Sequence, residues 1–329
     1  MKPPSRRLSI LPQARLLQGP DCMTRTVLIT GAGGFVGSAL AEAQLAAGHA
    51  VLATDLSFDS GVRARLGTAQ LIEGALPDVL TELHGLTVDA VIHAAAITAD
   101  PARFGLTRAG HVCANTTLLL AALDWARGHA ARRFIYLSSS GVFGVAQGTE
   151  VADERTPTIA TDPYSAAKRA GEILISGAEE PGFETIAVRL GPVFGPHEGV
   201  RPTRPTPSLA ARMSAAARED QKIVVASPQA RRDWTYLPDI ARAIGVLLNH
   251  AGPLPPLLHL TSGMVLTDLE LAQAIARLYP ETSVQTALEG PVHPPRPVMV
   301  CNLASPLDGF DWTPVLSALE TIYPTEVLT

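Results

Sequence analysis

Tyr164 and Lys168 stand four residues apart in Tyr164-Ser165-Ala166-Ala167-Lys168, one helical turn, so both side chains can reach one site. An ammonium beside a phenol favours the phenolate and lowers its pKa toward working pH, as a general base for an alcohol requires. Taken alone, this spacing also arises by chance on a solvated helix face. Two observations weigh against chance. Of the 26 basic residues only Lys2, Lys168 and Lys222 are lysines, so a surviving lysine invites a reason. Upstream, Tyr136-Leu137-Ser138-Ser139-Ser140-Gly141-Val142-Phe143-Gly144 sets three hydroxyls at the end of an apolar run.

A second constellation is Thr30-Gly31-Ala32-Gly33-Gly34-Phe35-Val36-Gly37. Gly31, Gly34 and Gly37 permit a tight turn, close backbone approach to a pyrophosphate, and close strand–helix packing. The helix that follows then offers free amides and a partial positive charge that suit phosphate, with Phe35 and Val36 among the expected cofactor contacts. A glycine turn with no ligand is the bland alternative. Against it, Asp55 closes the next apolar run, 18 residues after Gly37, where a carboxylate accepts both ribose hydroxyls and repels a 2′-phosphate. No arginine follows at once in Asp55-Leu56-Ser57-Phe58, so NAD is expected rather than NADP.

The elements that must position these groups read as apolar runs at 26–30, 49–55, 88–95, 133–138, 184–190 and 257–260, with helical stretches between them, the first over 38–47. Buried strands alternating with helices predict an α/β, doubly wound parallel (Rossmann) sheet. Prolines at 192, 196, 202, 205 and 207 mark an irregular excursion, and helical material resumes at 208–218. The expected organisation is a flexible arm at 1–22, an NAD-binding domain at 23–190 with 231–261 returning to it, and a smaller C-terminal substrate-binding lobe from 191–230 and 262–329. The chain has 329 residues, 47% hydrophobic and 17% charged, enough for a full core, with net charge −5. That balance offers no general attraction to nucleic acid or anionic membrane, and no apolar run is long enough to span a bilayer. Cys22, Cys113 and Cys301 are far apart, which fits a reducing, cytoplasmic compartment and no metal knuckle; the nine histidines form no metal set either.

Together these motifs resemble the extended short-chain dehydrogenase/reductases, the NAD-dependent epimerase/dehydratase family, over roughly residues 24–320. The resemblance selects Ser139, four residues before Phe143, as the catalytic hydroxyl, with Ser140 beside it facing substrate. It implies Tyr164 as general acid/base and Lys168 as its electrostatic partner and ribose ligand. It adds Leu76, Ala94, Ala95 and Asn115 to the cofactor contacts, and Pro192, His197 and Arg232 to the substrate contacts. Val188–Pro196 resembles the family's LRxxNVYGP, Arg232–Asp239 its RDFxYVDD, and Asp311-Trp312-Thr313-Pro314 its late GWxP turn.

Departures bear on the substrate. Pro192 stands where sugar-nucleotide enzymes keep an asparagine on the diphosphate, and a shorter Val292–Pro297 replaces their RPGD segment, leaving Arg232 as an anion ligand. Ser140-Gly141 replaces the Asp-Glu pair of the 4,6-dehydratases, and Ala75 an aspartate near the adenine. The expected function is NAD-dependent hydride transfer at a hydroxyl-bearing carbon of a sugar, sugar acid or related polyol. A nucleotide-sugar epimerase with tightly held NAD, and a non-catalytic NAD-binding regulator, are the alternatives. The resemblance also implies a homodimer on the helices beginning near Asn115 and Tyr164. His93 reads as a satisfied core residue, His293 as a weaker version of His197, and Arg201 and Arg204 more as surface loop than as carboxylate or phosphate ligands.

Overall fold

The computed structural model describes residues 24–145, 150–287 and 296–323. The arm expected at 1–22 and His293 lie outside them.

Seven parallel strands form the central sheet: β1 (Thr26–Thr30), β2 (Ala50–Asp55), β3 (Gln70–Glu73), β4 (Ala90–His93), β5 (Arg133–Ser139), β6 (Glu184–Leu190) and β7 (Leu257–Leu260). Their order is β7-β6-β5-β4-β1-β2-β3, so the chain winds outward one way from β1 and then the other way from β4. The crevice at the carboxyl ends of β1 and β4 is where such sheets take ligands. Register pairs Thr30 with His93 and with Thr54, placing the ends of β1, β2 and β4 level with each other.

Both sheet faces are covered, which is why the strands are continuous apolar runs. On one face lie α1 (Phe35–Ala46), α2 (Ser60–Arg65) and α7 (Leu237–Asn249), with Leu40, Ile244 and Leu247 fully buried against Val27, Ile29 and Val188. On the other lie α3 (Leu76–Glu82), α4 (Arg108–Gly128) and α5 (Pro163–Gly177), with Leu119, Trp125 and Ile175 packed on Leu28, Val91 and Phe134. α1 begins three residues earlier than the apolar pattern indicates, because Gly34 at its N-cap already has an extended conformation that releases Phe35 into the helix. α4 and α5 start at side-chain caps, Thr107 accepting from the Gly110 amide and Asp162 from that of Ser165.

A third core lies beyond the sheet. α6 (Leu209–Asp220), α8 (Asp268–Leu278) and α9 (Val315–Ile322) enclose Met213, Leu271, Ile275 and Leu319 with Phe194 and Trp234. Strands Lys222–Val225 and Ser283–Thr286 pair in parallel beside them. Residues 193–194 and 235–236 also pair, so the chain crosses between the two bodies side by side.

Candidate active site and cofactor cradle

At the end of β1 the chain turns at Gly31, whose φ of +70° favours a residue without Cβ. A Cβ there would lie 2.6 Å from the Ala95 amide, so the turn is pressed against the segment leaving β4. The Ala94 amide donates to the Thr30 carbonyl, and that of Ala95 to the Thr30 hydroxyl. At Gly37 a Cβ would come within 2.1 Å of the Gly31 carbonyl oxygen, which sets how closely α1 approaches the turn. No side chain caps α1, so the amides of Phe35, Val36 and Gly37 are left for an anion.

Asp55 closes β2 beside this turn. It accepts from the Gly33 amide at 2.9 Å and the Leu56 amide at 2.7 Å. Burial raises its pKa, and those amides oppose the shift. Each carboxylate oxygen keeps a lone pair for a ribose hydroxyl. Arg201 stands near enough to act on Asp55, but its guanidinium is engaged by Asp59 at 2.7 Å. An uncapped helix, a glycine turn with no room for a methyl group and a buried carboxylate together fit a dinucleotide carrying free ribose hydroxyls. Leu76 sits in the first turn of α3 with its side chain in the core, leaving only its backbone to meet an adenine. Asn115 clamps the loop after β4: its Oδ1 accepts from the Ile97 amide at 2.8 Å, and its Nδ2 donates to the carbonyls of Ile97 and His111. His93, bonded to Thr30 and stacked between Phe134 and Tyr136, is held neutral by burial, which pulls its pKa down to about 3.

The strand end of β5 and the first turns of α5 bring Ser139, Tyr164 and Lys168 together. The Ser139 hydroxyl accepts from the Gly141 amide at 3.1 Å and is in hydrogen-bonding reach of the Tyr164 phenol. Lys168, 6% exposed, donates to the Leu137 carbonyl at 2.6 Å and lies 5.7 Å from the centre of the Tyr164 ring. The electrostatics depart from the expectation of a lowered phenol. Burial pushes Tyr164 up to about 12, with Ser139 and Arg204 pulling against it and Asp162 adding to it. Burial also pulls Lys168 down to about 8, opposed by Glu172. Glu172 in turn receives the Ser138 hydroxyl at 2.6 Å and the fork of Arg189 at 2.8 Å, so a buried ion pair anchors the far side of α5.

A cavity of about 710 Å³ opens in the smaller lobe, lined by Pro192, Ser208 and Trp234 together with Arg204, Arg212, Arg231, Arg232 and Arg296. Asp268 is its one carboxylate among the described residues. Arg296 reaches toward the loop after Ser139: its Nη1 is 4.0 Å from where a Cβ on Gly141 would be. Arg232, expected as an anion ligand, lines this cavity and shares its charge with Asp268, which takes Nε at 2.7 Å and Nη2 at 3.0 Å. His197 lines one pocket against α1 and α7 and another against α6; neither these nor the arginine-lined cavity is lined by Ser139, Tyr164 or Lys168. Ser140 opens a short 3-10 turn over Ser140–Phe143 and is half-buried. Arg204 is where sequence reasoning fell short, since it is not an ordinary loop arginine. Its guanidinium lies 4.9 Å over the Phe35 ring and is paired with the buried Glu198.

The model of the NAD dependent epimerase/dehydratase family matches residues 27–256. A dTDP-glucose 4,6-dehydratase of Streptomyces niveus is 28% identical over 76% of this chain and 76% of its own length. A dTDP-4-dehydro-6-deoxy-D-allose reductase of a Streptomyces species is 27% identical over 90% and 94%. Among solved structures, a Bordetella bronchiseptica enzyme in complex with NAD+ superposes with a TM-score of 0.72 at 24% identity, over 90% of this chain and 96% of that one. A UDP-glucuronic acid 4-epimerase from Bacillus cereus gives 0.75 at 21%, over 91% and 98%.

Proposed function

The chain belongs to the NAD-dependent epimerase/dehydratase family, and from that premise we propose that it oxidises a hydroxyl-bearing carbon of a sugar acid or related polyol, with NAD as hydride acceptor. The non-catalytic alternative falls away, because the family is one of enzymes and the relatives are dehydratases and reductases. NAD, when bound, supplies the hydride acceptor at its nicotinamide ring and, in its oxidised form, a positive charge. Ser139 hydrogen-bonds the substrate hydroxyl and orients it toward Tyr164. The Tyr164 phenolate takes the hydroxyl proton as the carbon gives up its hydride. Ser139 and Arg204 oppose the burial that keeps the phenol protonated, and Lys168 is still an ammonium at neutral pH. Gly31, Gly34 and the amides of Phe35, Val36 and Gly37 cradle the pyrophosphate, Asp55 holds the adenosine ribose, and Ala94, Ala95 and Asn115 shape the wall beside it.

The observation that carries the substrate class is the pairing of Arg232 with Asp268 beside Pro192, which has no side-chain amide. Of the two positions that the family resemblance assigns to a diphosphate, one is thereby partly neutralised and the other lacks an amide. A nucleotide-sugar epimerase is the second reading, favoured by an arginine-lined cavity large enough for a sugar nucleotide and by the names of the relatives. Assay of NADH formation on aldonates and alditols, beside equilibrium binding of UDP and dTDP, separates the two. The first reading expects NADH from the panel and no micromolar nucleotide binding; micromolar binding without NADH overturns it. In both readings Tyr164→Phe is expected to lower turnover by about 1,000-fold while NAD affinity stays within about threefold. An active phenylalanine variant would remove Tyr164 from the chemistry.

The assembly we propose is a cytoplasmic homodimer. Leu119, Leu123 and Trp125 belong to the chain's own core. Leu120 on α4 and Ile173 on α5, 39% and 74% exposed, remain as apolar contacts on two helices that pack side by side. Cys113 and Cys301 are free and exposed, in keeping with a reducing compartment. No helix among the described residues is long and apolar enough to cross a membrane, and no His, Cys, Asp and Glu cluster among them could hold a metal.

A further inference from the structure

Residues 196–207, proline-rich and without helix or strand, are held in place at several points. The Thr203 carbonyl accepts from the Thr98 amide at 3.2 Å, the Ala99 amide at 3.0 Å and the Thr98 hydroxyl at 2.7 Å. Arg201 and Arg204 exchange backbone hydrogen bonds across a tight turn. Arg204 itself is positioned from several sides. Its Nη2 donates to Glu198, whose carboxylate is 3% exposed and is fixed by the Ser208 amide and hydroxyl. The guanidinium plane rests over Phe35 of the glycine turn. The remaining arm is different: Nη1 is buried and has no hydrogen-bond partner among the described residues.

A buried donor left unpaired is costly, and where one persists a bound water, ion or ligand commonly completes it. Arg204 lines the same cavity as Pro192, Trp234 and Arg296, and its charge reaches Tyr164. The other arginines of that cavity are placed otherwise. Arg212, Arg231 and Arg296 are exposed, and Arg232 gives Nε and Nη2 to Asp268. We propose that Arg204 is the specificity-determining residue of this enzyme, its free arm receiving a carboxylate carried by the substrate and so selecting a sugar acid over the neutral polyol of the same chain length. Glu198 holds the fork in orientation, and the Phe35 ring keeps water from its face. A guanidinium suits this role because its planar N–H pairs match a carboxylate, where an ammonium offers only a point charge.

This inference rests on the sugar-acid reading given above and narrows it. The test uses the NAD-saturated full-length chain and a panel of four- to six-carbon aldonates with their matched alditols, following NADH. Wild type is expected to favour the aldonates. Because removal of Arg204 alone would leave Glu198 buried without its cation, the variant is Glu198→Gln with Arg204→Met in one chain. The ratio of kcat/KM for aldonate to that for alditol should fall by about 100-fold, with the NAD dissociation constant within threefold of wild type. Arg204→Lys, which keeps the charge and the Glu198 pair, should recover only part of the ratio, and it serves as the test if the double variant does not fold. A ratio unchanged in the variants, or NAD affinity lost in place of the ratio, overturns the proposal; the latter would assign the cation to the cofactor phosphates. Wild type oxidising alditols in preference to aldonates would overturn the Arg204 role while leaving the oxidoreductase reading intact. UDP binding with no NADH from either class would overturn both.

Discussion

Tyr164 and Lys168 are buried so that the phenol, at about 12, lies above the ammonium, at about 8. The active pair, phenolate with ammonium, is therefore a minor species at every pH. Below about 8 the dominant form is phenol with ammonium, and the active fraction should rise about tenfold per pH unit. Above that point the dominant form is phenol with neutral amine, which holds the same number of protons as the active form, and the profile should flatten. A pH series of kcat/KM for alcohol oxidation checks this, and a flat profile from pH 6 to 8 would contradict it. Asp233 gives a second prediction. Burial raises it to about 6, so the folded protein binds more protons than the unfolded chain between about 4 and 6. The stability held by the neutral acid is lost as pH rises through that window. Asp233→Asn should accordingly stabilise the protein by about 1–2 kcal/mol at pH 7.5 and by almost nothing at about pH 3.5, measured by urea unfolding at both. Thr261, which donates to Asp233 at 3.0 Å, retains an acceptor in the variant.

At the scale of elements, the β1 turn and α1 act as one unit. Gly37→Ala would drive a methyl into the Gly31 carbonyl, so the unit must separate at a cost of about 3 kcal/mol. NAD titration and urea unfolding should show weaker binding and lower stability together, whereas full NAD affinity would contradict the contact. This unit was readable from the sequence because all its parts are local: an apolar strand, glycines at fixed offsets, a helix and an acid ending the next strand. Six of the seven sheet strands were readable for the same reason, since Glu184–Leu190 and Leu257–Leu260, for example, are apolar runs with clear ends. The four-residue edge strand Gln70–Glu73 has too short an apolar run to stand out. The two-residue strands at 151–152 and 298–299 carry no pattern of their own and form only because they meet each other. Arg204 and Arg232 escaped for a related reason. What each side chain does is decided by partners distant in the chain, Phe35 in one case and Asp268 in the other. The motif around Arg232 is family-like, yet its charge is shared with Asp268.

The whole molecule is a sheet with two covered faces and a smaller lobe joined through paired crossing strands. The proposed homodimer uses its outer surface along α4 and α5. Ile173→Glu should convert a homodimer to a monomer in sedimentation at micromolar concentration, because a charge placed at that exposed apolar position cannot be buried against its copy. A monomeric wild type would remove the dimer.

The loop at 196–207 has a consequence in time as well as in recognition. It is tied to Asp59 beyond β2 and to Thr98 and Ala99 beyond β4, and β1 with its glycine turn lies between those two strands. The loop therefore spans the carboxyl ends of β2, β1 and β4 beside the glycine turn. With NAD held at that turn, the expected order is cofactor before substrate and spent cofactor last, after the loop has loosened. The Arg201–Asp59 tie is an ion pair at the surface, of the kind that salt weakens by a few tenths of a kcal/mol. Raising ionic strength from about 0.05 to 0.5 M should then shorten the residence time of NAD by about two- to threefold. Stopped-flow dissociation would show this, and Arg201→Gln should be fast at both salts.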